Sequence, residues 1–238
     1  MPENRTAILF FSHRPEREWQ NKWFVEQDYA TNRRVAEAFY EHTRQAVADS
    51  GFPVLEVTDA QQQGDSFGER LANAMADAFA EGYDRVIAVG SDCPALHEVE
   101  WGTVAEQLDD ETPVLGPNPD GEGTYLIGLT RAQFDPDAFP ALPWKTPDLL
   151  AALRRHLAEK AATAPVLLAS RDDVNGPGDL RRLLQRSSSP SAVLVAHLRQ
   201  VLEGSPHSAK AERPRSTRSA LPRRARAPPT SPTSNRPC

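Results

Sequence analysis

Short apolar runs alternate with amphipathic stretches along most of this chain. In Thr6 to Ser12 (TAILFFS) consecutive rather than alternate positions are apolar, the pattern of a strand covered on both faces. Pro53 to Thr58 (PVLEVT) and Arg85 to Gly90 (RVIAVG) predict two more strands. Val35, Phe39, His42 and Ala46 recur at helical spacing and predict a helix over 28–49, ended by Ser50-Gly51. Phe67, Leu71, Ala74, Met75, Ala78 and Phe79 lie on one face of a second amphipathic helix that Gly82 closes. Farther along, the pattern predicts a helix over 98–108 and strands over 114–116 and 124–129, separated by so short a loop that they can be neighbours. It then predicts a helix over 147–159, a strand over 165–169, and helices over 179–185 and 192–202. The Trp-bearing stretch from His13 to Gln27 reads as a polar lead-in to the first helix. Strands alternating with helices imply an α/β fold, a three-layer α/β/α sandwich with a mostly parallel central sheet. Its ligand should lie beyond the carboxyl ends of the strands.

Composition narrows the class. Apolar residues make up 39% of the 238 and mean hydropathy is −0.55. No segment reaches the roughly 20 apolar residues of a membrane span. The first apolar run is too short for a secretory leader, and His13, Arg14 and Arg17 follow it at once. Cys93 and Cys238 are the only cysteines, which excludes a disulfide framework and fits a reducing compartment. A cytoplasmic protein is expected. Charge divides the chain in two: eight of its 27 basic residues but one of its 33 acidic ones lie from Ser205 onward, giving that tail +7 and residues 1–204 −13. The tail is rich in Pro, Ser and Arg and has no aromatic, so 205–238 is expected to be a disordered, solvated extension and 1–204 the folded domain. So acidic a body argues against a nucleic-acid groove, which needs clustered Lys and Arg, and for a small-molecule ligand.

The candidate chemistry lies in four loops. Asp92 directly follows an apolar strand and precedes Cys93-Pro94, so it either meets a metal or substrate at the sheet's carboxyl edge or caps the next helix. The acidic stretch Arg171 to Asp179 also follows a strand; it offers oxygen ligands to a hard cation such as Mg²⁺, or forms a turn with a helix cap. Gly116 to Tyr125 is glycine-rich enough to bring backbone near a ligand, and equally suits a tight turn. Gln61 to Arg70, with Gly64 and Gly68 ahead of a helix, can present N–H groups to an anion. The six histidines are scattered without metal-ligand spacing, no nucleophilic triad stands out, and Cys93 reads as a buried thiol.

In order along the chain, QQQGDSFGERLANA, VIAVGSDCPAL, VLGPNPDGEGTYLIGL, LPWKTPDLL and DDVNGPGDL resemble the successive motifs of the domain-of-unknown-function 2064 family, over roughly residues 6–186. That family belongs to the GT-A nucleotide-diphospho-sugar transferase superfamily, a Rossmann-like fold that also includes guanylyltransferases. The resemblance implies that Asp92 holds a divalent metal, Mg²⁺ or Mn²⁺, with Asp173 or Asn175 as its partner. It further implies nucleotide contacts from Ser91, Gly68 and Arg70 and from Gln62 or Gln63, with Asp92 and Asp120 as catalytic candidates. Gly121, Glu122, Tyr125 and Trp144 fall on the acceptor or sugar loop. The chain departs from the family at Asn175, where many members have Asp, at Glu122 within a motif commonly read Asp-Gly-Gly-Tyr-Tyr, and in the loop after the first strand. There a basic family motif is replaced by a stretch in which Arg14 and Lys22 supply the charge for phosphates. Trp19 and Trp23 in that stretch either stack on a base or sugar or pack into the protein. The implied function is metal-dependent glycosyl transfer from a nucleotide-diphospho-sugar to a small-molecule acceptor. The alternatives are nucleotidyl transfer releasing pyrophosphate and a degenerate nucleotide-sugar-binding module.

Overall fold

The computed structural model describes residues 5–26, 28–161, 163–185 and 191–204; the tail expected from 205 to 238 lies outside the described residues. Six strands form one sheet: β1 (Thr6–Phe11), β2 (Val54–Val57), β3 (Arg85–Val89), β4 (Val114–Pro117), β5 (Thr124–Thr130) and β6 (Val166–Leu167), in the order β2-β1-β3-β5-β4-β6. Five run the same way, and β5 is antiparallel to both its neighbours. The loop from Asn118 to Gly123 explains the reversal, because a parallel return needs a crossover of a dozen or more residues.

The helices are α1 (Pro15–Asn21), α2 (Tyr29–Ala48), α3 (Phe67–Ala80), α4 (Trp101–Asp109), α5 (Leu149–Lys160), α6 (Pro177–Gln185) and α7 (Ala192–Glu203). Alternating strand residues build the two cores. Ala7, Leu9 and Phe11 of β1 join Val86 and Ala88 of β3 beneath α3 and α5, while Ile8, Phe10, Ile87 and Val89 face α2 and α4. This is the three-layer sandwich expected from the consecutive apolar runs. Val35, Ala38 and Phe39, on the outer side of α2, pack with Leu180 and Leu183 of α6 and Leu194 and Leu198 of α7 in a third cluster. Asp28 caps α2, and Ser66 with Glu69 forms a reciprocal capping box on α3. Among the described residues, no helix is long and apolar enough to cross a membrane.

Two local features differ from the sequence-level expectation. The stretch from His13 to Gln27 contains α1, begun by Pro15 at its first turn. Seven residues are too few for an apolar stripe to announce a helix. The second feature is a bulge: the β4–β5 register passes from Gly116 opposite Leu126 to Pro117 opposite Thr124, which puts Tyr125 and Leu126 in the same core. The Tyr125 ring lies flat against Gly116, where a β-carbon would stand 2.4 Å from it. The Tyr125 hydroxyl donates to the Ala169 carbonyl at 3.0 Å, tying β5 to the segment after β6.

Candidate active site

A cavity of about 1200 Å³ opens across the carboxyl ends of β1 and β3, and its two ends are chemically unlike. At the first end β3 delivers Ser91 and Asp92. The Ser12 hydroxyl, after β1, donates to Ser91 Oγ at 2.8 Å, and Ser91 Oγ lies 3.3 Å from Asp92 Oδ1. Helix α1 points Glu18 and, one residue past its end, Lys22 into the same place. Lys22 Nζ pairs with Asp92 Oδ2 and lies 3.4 Å from Glu18 Oε1, and Glu18 Oε2 is 3.0 Å from His13 Nδ1. Burial by itself would lower the Lys22 pKa, but the charges of Asp92 and Glu18 outweigh it and hold the ammonium above its ordinary value. Glu18 is half-buried, which alone would raise its pKa, but its bonds to His13 and Lys22 keep it below the ordinary carboxylate range.

Asp173 comes from the loop after β6. That loop is fastened to the site by its backbone: Val174 N donates to the Asp92 carbonyl at 2.9 Å and Arg171 N to the Pro117 carbonyl at 3.1 Å. Asn118 Nδ2 donates to Asp173 Oδ2 at 2.8 Å. Gly123 permits that orientation, since a β-carbon there would stand 2.7 Å from Asn118 Nδ2. Burial, and next the neighbouring Asp92 charge, push the Asp173 carboxyl up to about 7. Its Oδ1 and the Asn118 Oδ1 are buried acceptors without a hydrogen-bond partner among the described residues. Carboxylate and amide oxygens left open beside Asp92 are the donor set that a hard divalent cation takes. Cys93, the residue after Asp92, is buried, and that burial pushes its thiol pKa up and disfavours the reactive thiolate.

The second end is aromatic. Phe67 at the start of α3, Trp144 ahead of α5, and Leu71 and Leu149 wall it, with Arg70 and Lys145 at its edge. The indole of Trp144 abuts Gly68, where a β-carbon would stand 2.4 Å from it.

Of the residues singled out from sequence, Lys22, Gln62, Arg70, Ser91, Asp92, Tyr125, Trp144, Asp173 and Asn175 line this one cavity. Gln62 is engaged there, its side-chain amide donating to the Ser12 carbonyl at 3.0 Å, and the Asn175 N–H is bound to Asp179 at the start of α6. Arg14 is turned away, with its backbone N–H and guanidinium both on Asp59. Gln63, Asp120, Gly121 and Glu122 are exposed and stand off the lining, Asp120 Oδ1 accepting the Glu122 N–H in a local turn. Gly68 backs Trp144 instead of lining the cavity. Trp23 is 40% exposed and meets Tyr29 edge-on. Sequence reasoning passed over Glu18, His13 and Asn118. A signal for the first existed: Pro15 followed by Glu18 and Lys22, four apart, is a short helix start with an ion pair on one face.

A family model whose description reads "Uncharacterized protein conserved in bacteria (DUF2064)" matches residues 25–146. No curated protein matches the chain. Among solved structures it resembles a Desulfovibrio desulfuricans G20 protein with the provisional designation nucleotide-diphospho-sugar transferase. The two are 25% identical with a TM-score of 0.64, over 82% of this chain and 97% of that one. Rv0371c from Mycobacterium tuberculosis H37Rv is 14% identical with a TM-score of 0.45, over 78% of this chain and 100% of that one. A CMP:2-keto-3-deoxy-manno-octonic acid synthetase complexed with CTP is 13% identical with a TM-score of 0.37, over 75% and 96%. The mixed, mostly parallel six-stranded sheet flanked by helices is the α/β architecture of GT-A and nucleotidyltransferase structures.

Proposed function

The chain belongs to the DUF2064 family, and from that premise and the geometry around Asp92 and Asp173 we propose that it is a metal-dependent glycosyltransferase with a nucleotide-diphospho-sugar donor. The observation that carries this reading is the pair of buried oxygens, Asp173 Oδ1 and Asn118 Oδ1, that have no hydrogen-bond partner among the described residues, on two side chains bonded to each other, with Asp173 close enough to Asp92 to feel its charge. Asp92 and Asp173, with an amide oxygen from Asn118 or Asn175, would hold Mg²⁺ or Mn²⁺, which supplies a Lewis acid against the charge of a leaving diphosphate. A diphosphate could not otherwise approach two carboxylates offset among the described residues chiefly by Lys22. Lys22 is the chain's own cation for it, fixed by Glu18 and His13 from behind. The polar surface of Ser12, His13, Arg17 and Gln62, at the β1 and β2 side of the cavity, faces the nucleoside. In the transfer, an acceptor oxygen bonds to the anomeric carbon as the bond from that carbon to the diphosphate oxygen breaks. The electron pair leaves on the diphosphate, which also takes the acceptor's proton.

The test is a thermal-shift panel on the full chain with UDP-, GDP-, CDP- and ADP-sugars and the matching triphosphates, each with Mg²⁺, Mn²⁺ or EDTA. The expected result is a rise in midpoint with one diphospho-sugar that EDTA abolishes, with release of nucleoside diphosphate or monophosphate on turnover. A shift with a triphosphate alone, with pyrophosphate released, would replace this reading by nucleotidyl transfer. No shift with any nucleotide would leave a degenerate module.

The raised Asp173 carboxyl gives a pH signature. Because its folded pKa of about 7 lies above the ordinary aspartate value of 3.8, the metal-free fold favours the protonated form. Its contribution to stability is complete at low pH and is lost as pH rises from about 4 to about 7. Cation binding needs the ionised form and competes with that proton. The midpoint gain from Mg²⁺ alone is therefore expected to be small at about pH 5.5 and larger at about pH 8. Equal gains at the two pH values would remove Asp173 from the cation site.

A further inference from the structure

Resting on that reading of the first end, the second end of the cavity remains to be assigned a ligand. Its walls are rigid. Trp144 Nε1–H donates to the Phe139 carbonyl at 2.9 Å, and the indole packs 5.0 Å from the Phe139 ring and 5.5 Å from that of Phe67. Phe67 in turn stands edge-on to Phe11 at 5.8 Å. Phe11, Leu71 and Leu149 are buried around them. These side chains belong to the core beneath α3 and α5, whereas Cys93 and Tyr125, beside Asp92, belong to the core on the opposite face of the sheet. The cavity thus spans the sheet edge, from an ionic end on one face to an aromatic end on the other.

The cations of the two ends are treated differently. At the ionic end Lys22 is consumed by Asp92 and Glu18. At the aromatic end, Lys145 and Arg70 form no ion pair among the described residues. Arg70 donates to the carbonyls of Gly64 and Asp65, at 3.4 and 3.2 Å. Lys145 carries a left-handed backbone, φ 61°, which a long non-glycine side chain adopts at a cost and which clusters at ligand sites. Its ammonium lies 5.2 Å from the Phe67 ring centroid. A cation held over an aromatic face, with no carboxylate to satisfy it, at the edge of an apolar wall, is arranged for a ligand that is flat and apolar in its body and anionic at one end.

We propose that this aromatic end is the acceptor subsite, and that the acceptor is a small molecule with a planar or ring-shaped apolar body and a carboxylate or phosphate set against Lys145 and Arg70. The ring would lie along Trp144 and Phe67, with the anion at the cavity edge. The acceptor then meets the donor sugar midway between the two ends.

The experiment titrates the full chain with phenylacetate and phenyl phosphate, and with the neutral analogues phenylacetamide and benzyl alcohol, by saturation-transfer NMR. Acetate and inorganic phosphate serve as ring-free controls. One or both ring-bearing anions should bind at least about ten-fold more tightly than either the neutral analogues or the ring-free anions, and the better of the two names the anionic group. Lys145→Gln should cancel most of that preference while the nucleotide-sugar shift persists, and Asp92→Asn should do the reverse. Arg70→Gln, a second variant at the same edge, should also weaken the anions. Equal binding of phenylacetate and phenylacetamide, or no binding of any ring-bearing anion, would overturn the proposal. So would loss of the nucleotide-sugar shift in folded Lys145→Gln, since the aromatic end would then hold the donor. If the anions bind as expected but no nucleotide-sugar shifts the protein, the subsite stands and the glycosyltransferase reading falls.

Discussion

Replacing Asp92 by asparagine is expected to cut metal-dependent release of nucleoside phosphate by at least about a hundred-fold, because losing even an outer partner of a bound metal costs about 10–100-fold. The amide keeps the shape of the carboxylate and the backbone bond from Val174 N to the residue 92 carbonyl. What it removes is charge. Lys22 loses its Asp92 partner and keeps Glu18. Asp173, which Asp92 helps to hold protonated, is relieved of a neighbour's repulsion and ionises at lower pH. The fold should survive, so the measurement is nucleoside-phosphate release at saturating Mg²⁺ beside a thermal melt in EDTA. A variant that melts like the parent and retains its rate and metal dependence would show that Asp92 is not in the machinery.

A far milder chemical change, Gly68→Ala, is expected to carry the largest cost in stability. The new β-carbon would stand 2.4 and 2.6 Å from Cδ1 and Nε1 of Trp144 and 2.5 Å from the Pro140 carbonyl oxygen. Neither neighbour yields easily. Trp144 is bonded to the Phe139 carbonyl and packed on Phe67 and Phe139, and Phe139 is fully buried. Overpacking of this kind costs about 2–3 kcal/mol, a fall in melting midpoint of roughly 4–12 °C for a domain of this size. A melt within about a degree of the parent would mean that the turn before Trp144 shifts freely, and the rigid wall invoked for the acceptor would go with it.

Much of the architecture is legible because the central strands β1 and β3 are apolar on consecutive positions. TAILFF and RVIAV could be covered on two faces only, and the cores beneath α3 and α5 and beneath α2 and α4 are those two faces. The family is legible from the motifs, and Asp92 from its place after an all-apolar strand. What sequence could not show is pairing. Arg14 offers a positive charge near the first strand, yet Asp59, 45 residues away and at the end of β2, takes it. Gly68 looks like a place for backbone to meet an anion, and the structure fills that space with Trp144, 76 residues later in the chain. Glu18 falls in a helix too short to leave a periodic trace, and Lys22 one residue past its end. Asn118 owes its place to Gly123 and Asp173, and neither spacing signals a contact.

The reversed strand also bears on how such proteins can diversify. Because β5 runs against its neighbours, the β4–β5 connection is a hairpin whose tip, Pro119 to Glu122, is exposed, while its base fixes Asn118 on Asp173. The tip can lengthen at little entropic expense, about 0.6 kcal/mol for each doubling of a flexible loop, without disturbing a rung of the sheet. Descendants of one ancestral chain can thus explore new cavity entrances by insertion at Asp120 and Gly121 while inheriting the Asp92–Asp173 arrangement unaltered.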